Sequence, residues 1–225
     1  MIYYSILLLI YIVMMVFIKP SPKSFKDKPI SIKENILAIK GSIVLGILLL
    51  TAHLFVTKFT FLEVDSHLYN LLALHYPTSQ DFLISQFFTN TFVHFNLIHL
   101  LSNLMFIGLL SVYERRVGLK RFLMVVLVAG LFSGLSILFY DVDNTTSGIS
   151  GVVFGLGALF FTDEKNLNYK DWAYALLTFL FLATILSVRD FYEIQKIENI
   201  GFQIDYIGHF LGAFGAIIYT RLVRL

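Results

Sequence analysis

Seven long apolar runs, separated by short charged or turn-forming segments, constrain this chain more than any other feature. Hydrophobic residues make up 57% of its 225 residues and charged residues 14%, against roughly 45–50% and roughly 25% in soluble domains. A helix needs about 20 apolar residues to cross the hydrocarbon core, and barrels use short alternating strands instead. The chain is therefore predicted to be an all-α polytopic membrane protein. The runs cover residues 2–18, 41–61, 91–112, 119–139, 146–161, 172–188 and 203–220.

The runs divide into one N-terminal span and a block of six. Residues 1–18 lack the basic start and small-residue cleavage site of a secretory signal, which predicts a retained transmembrane anchor. Residues 19–40 are rich in proline and lysine and predict a basic cytoplasmic linker. Residues 41–225 are predicted to form the six-helix domain. Within that domain, residues 62–90 are too mixed to span and predict a structured loop in the membrane interface.

The basic residues lie at alternate ends of the spans, fourteen on one side and three on the other. Cytoplasmic loops carry the excess of lysine and arginine, so the richer side is predicted to be cytoplasmic and the N-terminus to be outside. The chain is thus expected to be a multi-pass protein of the cell membrane. The poorer side holds only Lys58, Arg189 and Lys196.

Polar side chains unusual for a bilayer lie at similar depths in three of the spans that begin outside. One span carries His94, His99 and Asn103, the next Ser150, and the last His209. Ionisable and amide groups inside a bilayer are costly and usually face the interior of the bundle at functional sites. Their common depth predicts one site near the outer surface.

Glycine spacing predicts which two of these spans meet. The motifs Gly151–Gly155 and Gly208–Gly212 are both GxxxG, and small residues at that spacing let helix backbones approach closely. Packing these helices together brings Ser150 within hydrogen-bonding reach of His209.

A serine beside a histidine is the arrangement of a nucleophile with its general base. Ser150 is therefore the candidate nucleophile and His209 the candidate base, with no third carboxylate required. Gly148 and Gly151 flank the serine without side-chain bulk, which leaves its hydroxyl approachable and its amide free at a helix N-terminus.

Donors for a developing oxyanion are available on the second span of the six-helix domain. His99 and Asn103 are four residues apart and share one helix face, and the backbone N–H of Ser150 is a third candidate donor. His94 lies about 140° round the helix from His99, which predicts a different purpose nearer the surface.

Each feature also has a purely structural interpretation. A membrane serine often bonds to its own i−4 carbonyl, a lone histidine often joins two helices, and Asn103 would serve equally as a helix staple. Asp205, one turn before His209, is expected to cap the helix or face water, with a triad acid as the alternative. The chain has no cysteine and no HExxH motif, so no metal or cofactor is expected. Structural or interfacial roles are predicted for His53, His67 and His75.

Four motifs in order resemble the rhomboid family of intramembrane serine proteases. The resemblance covers about 41–220 and implies Ser150 as nucleophile, His209 as base, and His99 and Asn103 as oxyanion stabilisers. It further implies cleavage of transmembrane protein substrates, with no metal, cofactor or nucleic acid. Phe154 stands where the family often has a tyrosine stacked on the histidine. The motifs are His94-x4-His99-x3-Asn103, Glu114-x-Arg116-x-Gly118, Gly148-x-Ser150-Gly151 and "GHFLGAFGA" around His209.

Two other classes compete with a protease. A catalytically inactive rhomboid-like protein would bind transmembrane helices, but such proteins typically lose the serine or the histidine, and both are present. A small channel or transporter predicts an internal repeat and polar groups in the cytoplasmic half, and the sequence has neither. The expected fold is a six-helix rhomboid-like bundle plus one extra N-terminal transmembrane helix.

Overall fold

The computed structural model of the protein describes residues 2–17, 31–140, 144–163, 167–194 and 205–223. These residues are mostly helical, as the composition predicts. The two short strands, β1 (Leu74–His75) and β2 (Thr145–Thr146), pair antiparallel, and 3₁₀ turns cover Asn90–Phe92 and Leu135–Phe139. The helices are α1 (Ile2–Phe17), α2 (Ile32–Ala38), α3 (Lys40–Val56), α4 (Ser66–Leu72), α5 (Gln86–Thr89), α6 (Leu97–Val117), α7 (Leu119–Gly134), α8 (Ser150–Thr162), α9 (Tyr169–Ile194) and α10 (Tyr206–Leu222).

Apolar helices embed the protein in the membrane. By length and composition, two of the described helices suffice alone to cross a bilayer: α6, and α7 with its 3₁₀ extension to Phe139. The pair α2 and α3 would make a third span, although the chain bends by 68° between them. α1 and α8 are apolar but shorter. The helical membrane class is confirmed, and the count of seven spans stays a prediction.

α8 lies at the centre of the fold. It packs against α6, α7, α9 and α10, and every residue from Gly151 to Leu159 is buried. α10 packs against both α8 and α7, whereas α9 packs mainly against α8. α8 has 13 residues, or about 20 Å of helix, so it is shorter than a hydrocarbon core of about 30 Å.

The predicted span 146–161 was wrong at its start, because the helix begins at Ser150. Thr145 and Thr146 form β2 instead, and Gly148 has a φ of 108° that a right-handed helix does not contain. The nucleophile candidate therefore stands at the first helical position after a short extended segment.

The predicted span 41–61 ends earlier than expected, at Val56. Three residues that follow have positive φ, namely Lys58, Phe59 and Phe61, so the chain turns out of the helix here. Phe61 is fully buried and packs edge-on against His53.

The predicted span 91–112 was wrong at both ends. Residues 90–92 form a 3₁₀ turn, and α6 begins at Leu97, where the Asn96 side chain accepts a hydrogen bond from the His99 N–H at 2.7 Å. The helix then continues to Val117. The predicted start of the next span at residue 119 is confirmed, because Gly118, with a φ of 83°, separates α6 from α7.

Two residues of the motif Glu114-x-Arg116-x-Gly118, at the end of α6, form hydrogen bonds to the ends of two other helices. The buried Glu114 carboxylate accepts from the N–H groups of Gly41 and Ser42, each at 2.7 Å, and so caps the start of α3. Arg116 donates to the carbonyls of Leu159 and Phe160 at the end of α8.

The N-terminal helix packs antiparallel on α3. The Tyr11 ring fills the space left by Gly46, and its hydroxyl donates to the Ser42 carbonyl at 2.8 Å. Nearer the N-terminus, the Tyr4 and Thr51 hydroxyls are 3.1 Å apart. The predicted anchor is thus a helix over 2–17 that is docked along α3.

The predicted linker over 19–40 contains a helix that composition alone did not indicate. Its last part forms α2, where Ser31 and Glu34 make a reciprocal capping box. Residues 18–30 lie outside the described part of the chain.

The last two predicted spans coincide with helices. The span 172–188 falls within α9, and 203–220 coincides with α10 from residue 206 onward. Residues 203 and 204 are not among those described.

Candidate active site

Ser150 and His209 meet between α8 and α10. The distance from Ser150 Oγ to His209 Nε2 is 2.8 Å, as the glycine spacing predicts. Both side chains are buried, with exposures of 7% and 5%. The predicted contact is confirmed, and the catalytic roles of the two residues remain predictions.

The helix contact that brings them together is made backbone to backbone. A Cβ built on Gly212 would lie 2.7 Å from the Gly151 carbonyl carbon, and one on Gly155 would lie 3.1 Å from the Gly212 carbonyl oxygen. Gly208 lies at the same contact, because a Cβ on Gly151 would lie 3.2 Å from the Gly208 carbonyl oxygen, and its own missing Cβ leaves room for the Asp205 carboxylate.

The phenyl ring of Phe154 orients the histidine. It stacks on the His209 imidazole with ring centroids 4.3 Å apart and planes inclined by 11°. Phe154 is one turn beyond Ser150 on α8, so a single helix presents both the hydroxyl and the stacking surface.

Gly148 sets the approach of the chain to Ser150. Its positive φ is a conformation that favours glycine, and a Cβ there would lie 2.6 Å from His99 Cε1. Its N–H donates to the Asn90 carbonyl at 2.8 Å. The imidazole of His99 therefore lies directly against the loop that precedes the serine.

Asn103 and His99 are both buried on α6, as predicted. The Asn103 side-chain nitrogen donates to the His99 carbonyl at 3.1 Å, a bond typical of a polar side chain within a helix. Its oxygen has no hydrogen-bond partner among the described residues.

The predicted position of His94 was wrong. The residue is fully buried and packs edge-on against the His99 ring, with centroids 4.9 Å apart. It precedes α6, which begins at Leu97, so the 140° helical angle to His99 does not apply.

Asp205 caps α10, one of the two roles favoured from sequence. Its carboxylate accepts from the Gly208 N–H at 2.6 Å and from three hydroxyl groups. The donors are Ser136 at 2.5 Å, Thr146 at 2.7 Å and Tyr140 at 2.9 Å. Asp205 is half-buried, and sequence reasoning missed these hydroxyl partners.

Sequence reasoning also missed how residues 66–90 support the serine loop. The Tyr69 and Ser147 hydroxyls are 2.8 Å apart, and β1 pairs with β2 just before the serine. Gln86 is fully buried, and its side chain bonds to backbone groups of β1 and of the loop that follows it, at His75, Asp81 and Leu83. The predicted structured loop thus forms one wall of the candidate site.

The remaining histidines make other contacts or face solvent. His53 packs against Phe61, His75 Nε2 lies 2.8 Å from the Asn70 carbonyl, and His67 is exposed. No group of three histidine, aspartate or glutamate side chains among the described residues is arranged to hold a metal ion.

The chain is similar to proteins of one family. A family model described as "Rhomboid domain" matches residues 82–225. "Rhomboid protease GlpG" of Yersinia pestis (strain Pestoides F) is 34% identical over 103 residues, which is 45% of this chain and 37% of that protein. "Rhomboid protease GlpG" of Haemophilus influenzae is 28% identical over 158 residues, covering 68% of this chain and 80% of that protein. The chain therefore spans well under half the length of the Yersinia relatives that it matches.

Proposed function

The chain belongs to the rhomboid family, and from that premise we propose that it is an intramembrane serine endopeptidase acting on transmembrane protein substrates. It hydrolyses peptide bonds in or beside their membrane-spanning helices. The single observation that carries this proposal is the 2.8 Å contact between the buried Ser150 hydroxyl and His209 Nε2.

The proposed reaction has two halves that share one base. His209 Nε2 takes the Ser150 proton as Oγ bonds to the scissile carbonyl carbon, and the carbonyl oxygen becomes an oxyanion. The imidazolium then protonates the leaving amine as the C–N bond breaks, which leaves an acyl-serine. A water, deprotonated by His209, attacks the ester, and Ser150 leaves with that proton. These steps require no metal or cofactor.

The site is proposed to act as a dyad, because Asp205 is occupied by other partners and Phe154 restrains the histidine. All four acceptor positions of the Asp205 carboxylate are taken by the Gly208 N–H and three hydroxyls, and a carboxylate offers about four such positions. The stacked Phe154 ring supplies the orientation that a third carboxylate gives in a triad.

The oxyanion is proposed to be stabilised by His99, Asn103 and the Ser150 N–H. The first N–H groups of a helix have no intrahelical acceptor, and Ser150 is the first residue of α8. The Asn103 amide carries two N–H groups, of which one donates to the His99 carbonyl. The second is proposed to donate to the oxyanion. Gly148 and Gly151 support the site by keeping bulk away from these donors.

The topology is proposed as one N-terminal span followed by six. Residues 1–18 are the anchor, 19–40 the basic cytoplasmic linker and 41–225 the protease domain. The N-terminus and the active site lie on the outer side of the cell membrane, as the distribution of lysine and arginine favours. The antiparallel packing of α1 on α3 supports an N-terminus at the same end of the bundle as the turn after α3.

Substrate is proposed to enter between α6 and α9. α9 packs mainly against α8, and an apolar cavity of about 310 Å³ lies between α6, α8 and α9. Its lining includes Phe106 of α6, Phe160 of α8 and Leu182 of α9. The cavity lies about 15 Å along α8 from Ser150, so it marks loose packing between α6 and α9 rather than the site itself. Separating two helices with few mutual contacts costs less than opening the glycine-packed pair α8 and α10.

The alternative is an inactive family member that only binds transmembrane helices. One experiment decides between them: purified protein is incubated with a model transmembrane substrate, and the wild type is compared with Ser150→Ala. The protease proposal predicts cleavage by the wild type alone. Equal cleavage by both proteins would refute it, and binding without cleavage by either would favour the alternative.

A further inference from the structure

The Asp205 carboxylate joins three separate parts of the chain beside the site: β2, the 3₁₀ turn after α7, and α10. Oδ1 accepts from the Gly208 N–H and the Tyr140 hydroxyl, and Oδ2 accepts from the hydroxyls of Ser136 and Thr146. Hydrogen bonds to an ionised acceptor are shorter and stronger than neutral ones, and these four measure between 2.5 and 2.9 Å. A helix cap needs only the Gly208 bond.

The donors include one residue from the segment that leads to Ser150 and one from the segment that leads to His209. Thr146 lies on β2, four residues before Ser150, whereas Gly208 immediately precedes His209. Ser136 and Tyr140 lie in and just after the 3₁₀ turn that follows α7. The carboxylate thus bonds the strand that leads to the nucleophile directly to the first turn of the helix that carries the base.

The Tyr140 phenol remains a donor to this carboxylate. Burial and then the neighbouring Asp205 charge raise the pKa of Tyr140 well above its usual range. The hydroxyl therefore keeps its proton at every pH at which the enzyme would be assayed.

We propose that Asp205 is a positioning residue, one that sets the Ser150–His209 distance by tying β2 to α10. This inference rests on the proposed protease function. Asp205 touches neither reacting atom, so it acts on the rate through geometry. A misplacement of about 1 Å lowers a catalysed rate by about 10²-fold, and no other described carboxylate connects these two segments.

Asp163 provides a matched control. It is another carboxylate in a bonded cluster, accepting from Tyr113 at 2.7 Å and from Arg121 at 2.8 and 3.0 Å. It follows the opposite end of α8, 13 residues after Ser150, or about 20 Å along the helix. Its loss should destabilise the fold without moving the dyad.

The test compares Asp205→Ala, Asp205→Asn and Asp163→Ala with the wild type. For each we measure kcat and KM on one transmembrane substrate, the rate of fluorophosphonate labelling, and the melting temperature. Asp205→Ala is expected to lower kcat and labelling by about 10²-fold, with KM little changed. Asp205→Asn keeps the side-chain size and one acceptor oxygen, so its kcat should be about tenfold higher than that of Asp205→Ala. Asp163→Ala should lower the melting temperature while kcat stays within about twofold of wild type, because distant sites act independently.

If Asp205→Ala does not fold, two near-isosteric variants that each remove one hydrogen bond to Asp205 still test the inference. Thr146→Val and Tyr140→Phe each remove one donor and are expected to lower kcat by about three- to tenfold. Wild-type kcat in these variants, or in a folded Asp205→Ala, would overturn the inference and leave the proposed function intact. Cleavage by Ser150→Ala in the same assay would instead overturn the proposed function, and the inference with it.

Discussion

Gly212→Ala is predicted to inactivate the protein by separating α8 from α10. The new Cβ would lie nearest the Gly151 carbonyl oxygen, 2.7 Å from the carbonyl carbon and 2.9 Å from Gly151 Cα, whereas ordinary contact begins at 3.4 Å. Backbone atoms cannot rotate away, so the helices must part by at least 0.7 Å, the difference between 3.4 and 2.7 Å. The same displacement would lengthen the Ser150–His209 contact from 2.8 Å to about 3.5 Å, beyond a normal hydrogen bond.

The expected loss in kcat is about 10²-fold per folded molecule, since misplacement of reacting groups by about 1 Å has that effect. Overpacking should also lower the free energy of unfolding by about 1–3 kcal/mol. The assay is cleavage of a transmembrane substrate in proteoliposomes, normalised to folded protein by thermal denaturation.

Gly157→Ala is the control on the same helix. A Cβ at this position would lie 3.3 Å from Leu182 Cδ1 and 3.4 Å from Thr178 Cγ2, and these side-chain atoms of α9 can move slightly. Its activity should equal that of the wild type within a factor of about two, because the glycine contact near the dyad is untouched. A folded Gly212→Ala protein that cleaves as fast as Gly157→Ala would refute the reasoning.

Three further outcomes follow from the proposed site. Asn103→Ala should lower the cleavage rate by about 10²–10³-fold, as the loss of one oxyanion donor does, and unfolding in detergent without a rate effect on the folded fraction would favour the helix staple. EDTA should leave the cleavage rate unchanged, and inhibition reversed by added metal would contradict the metal-free mechanism. The chain has no native cysteine, so a disulfide between cysteines placed near Leu182 of α9 and Phe95 should block cleavage until it is reduced. Equal rates before and after reduction would exclude this route of entry.

The meeting of Ser150 with His209 could be predicted because it depends on patterns that are local in sequence. Each residue lies within or beside a GxxxG motif, and each stands near the outer start of an apolar run. Two short patterns and a common depth therefore predict a tertiary contact across 59 residues.

The partners of Asp205 could not be predicted, because nothing local marks them. Its hydroxyl donors lie 59 to 69 residues away in the chain, and each is an ordinary serine, threonine or tyrosine near a span end. β1 and β2 have two residues each, too few to show the alternation that identifies a strand.

Some missed boundaries did carry a signal in the sequence. Ser31 and Glu34 have the spacing of a capping box, and the structure forms that box at the start of α2. The prolines and lysines of residues 19–40 instead led to the prediction of a linker without a helix. The start of α6 likewise follows Asn96, a favoured cap residue, which places His94 before the helix.

Fluorophosphonate labelling, with the modified residue mapped by mass spectrometry, tests the central claim that His209 activates Ser150. The wild type should carry one adduct, on Ser150, and Ser150→Ala should carry none. His209→Ala should lose labelling by about 10⁴-fold or more, as occurs when one member of a nucleophile–base unit is removed. Labelling of Ser150 at the wild-type rate in folded His209→Ala protein would contradict the account.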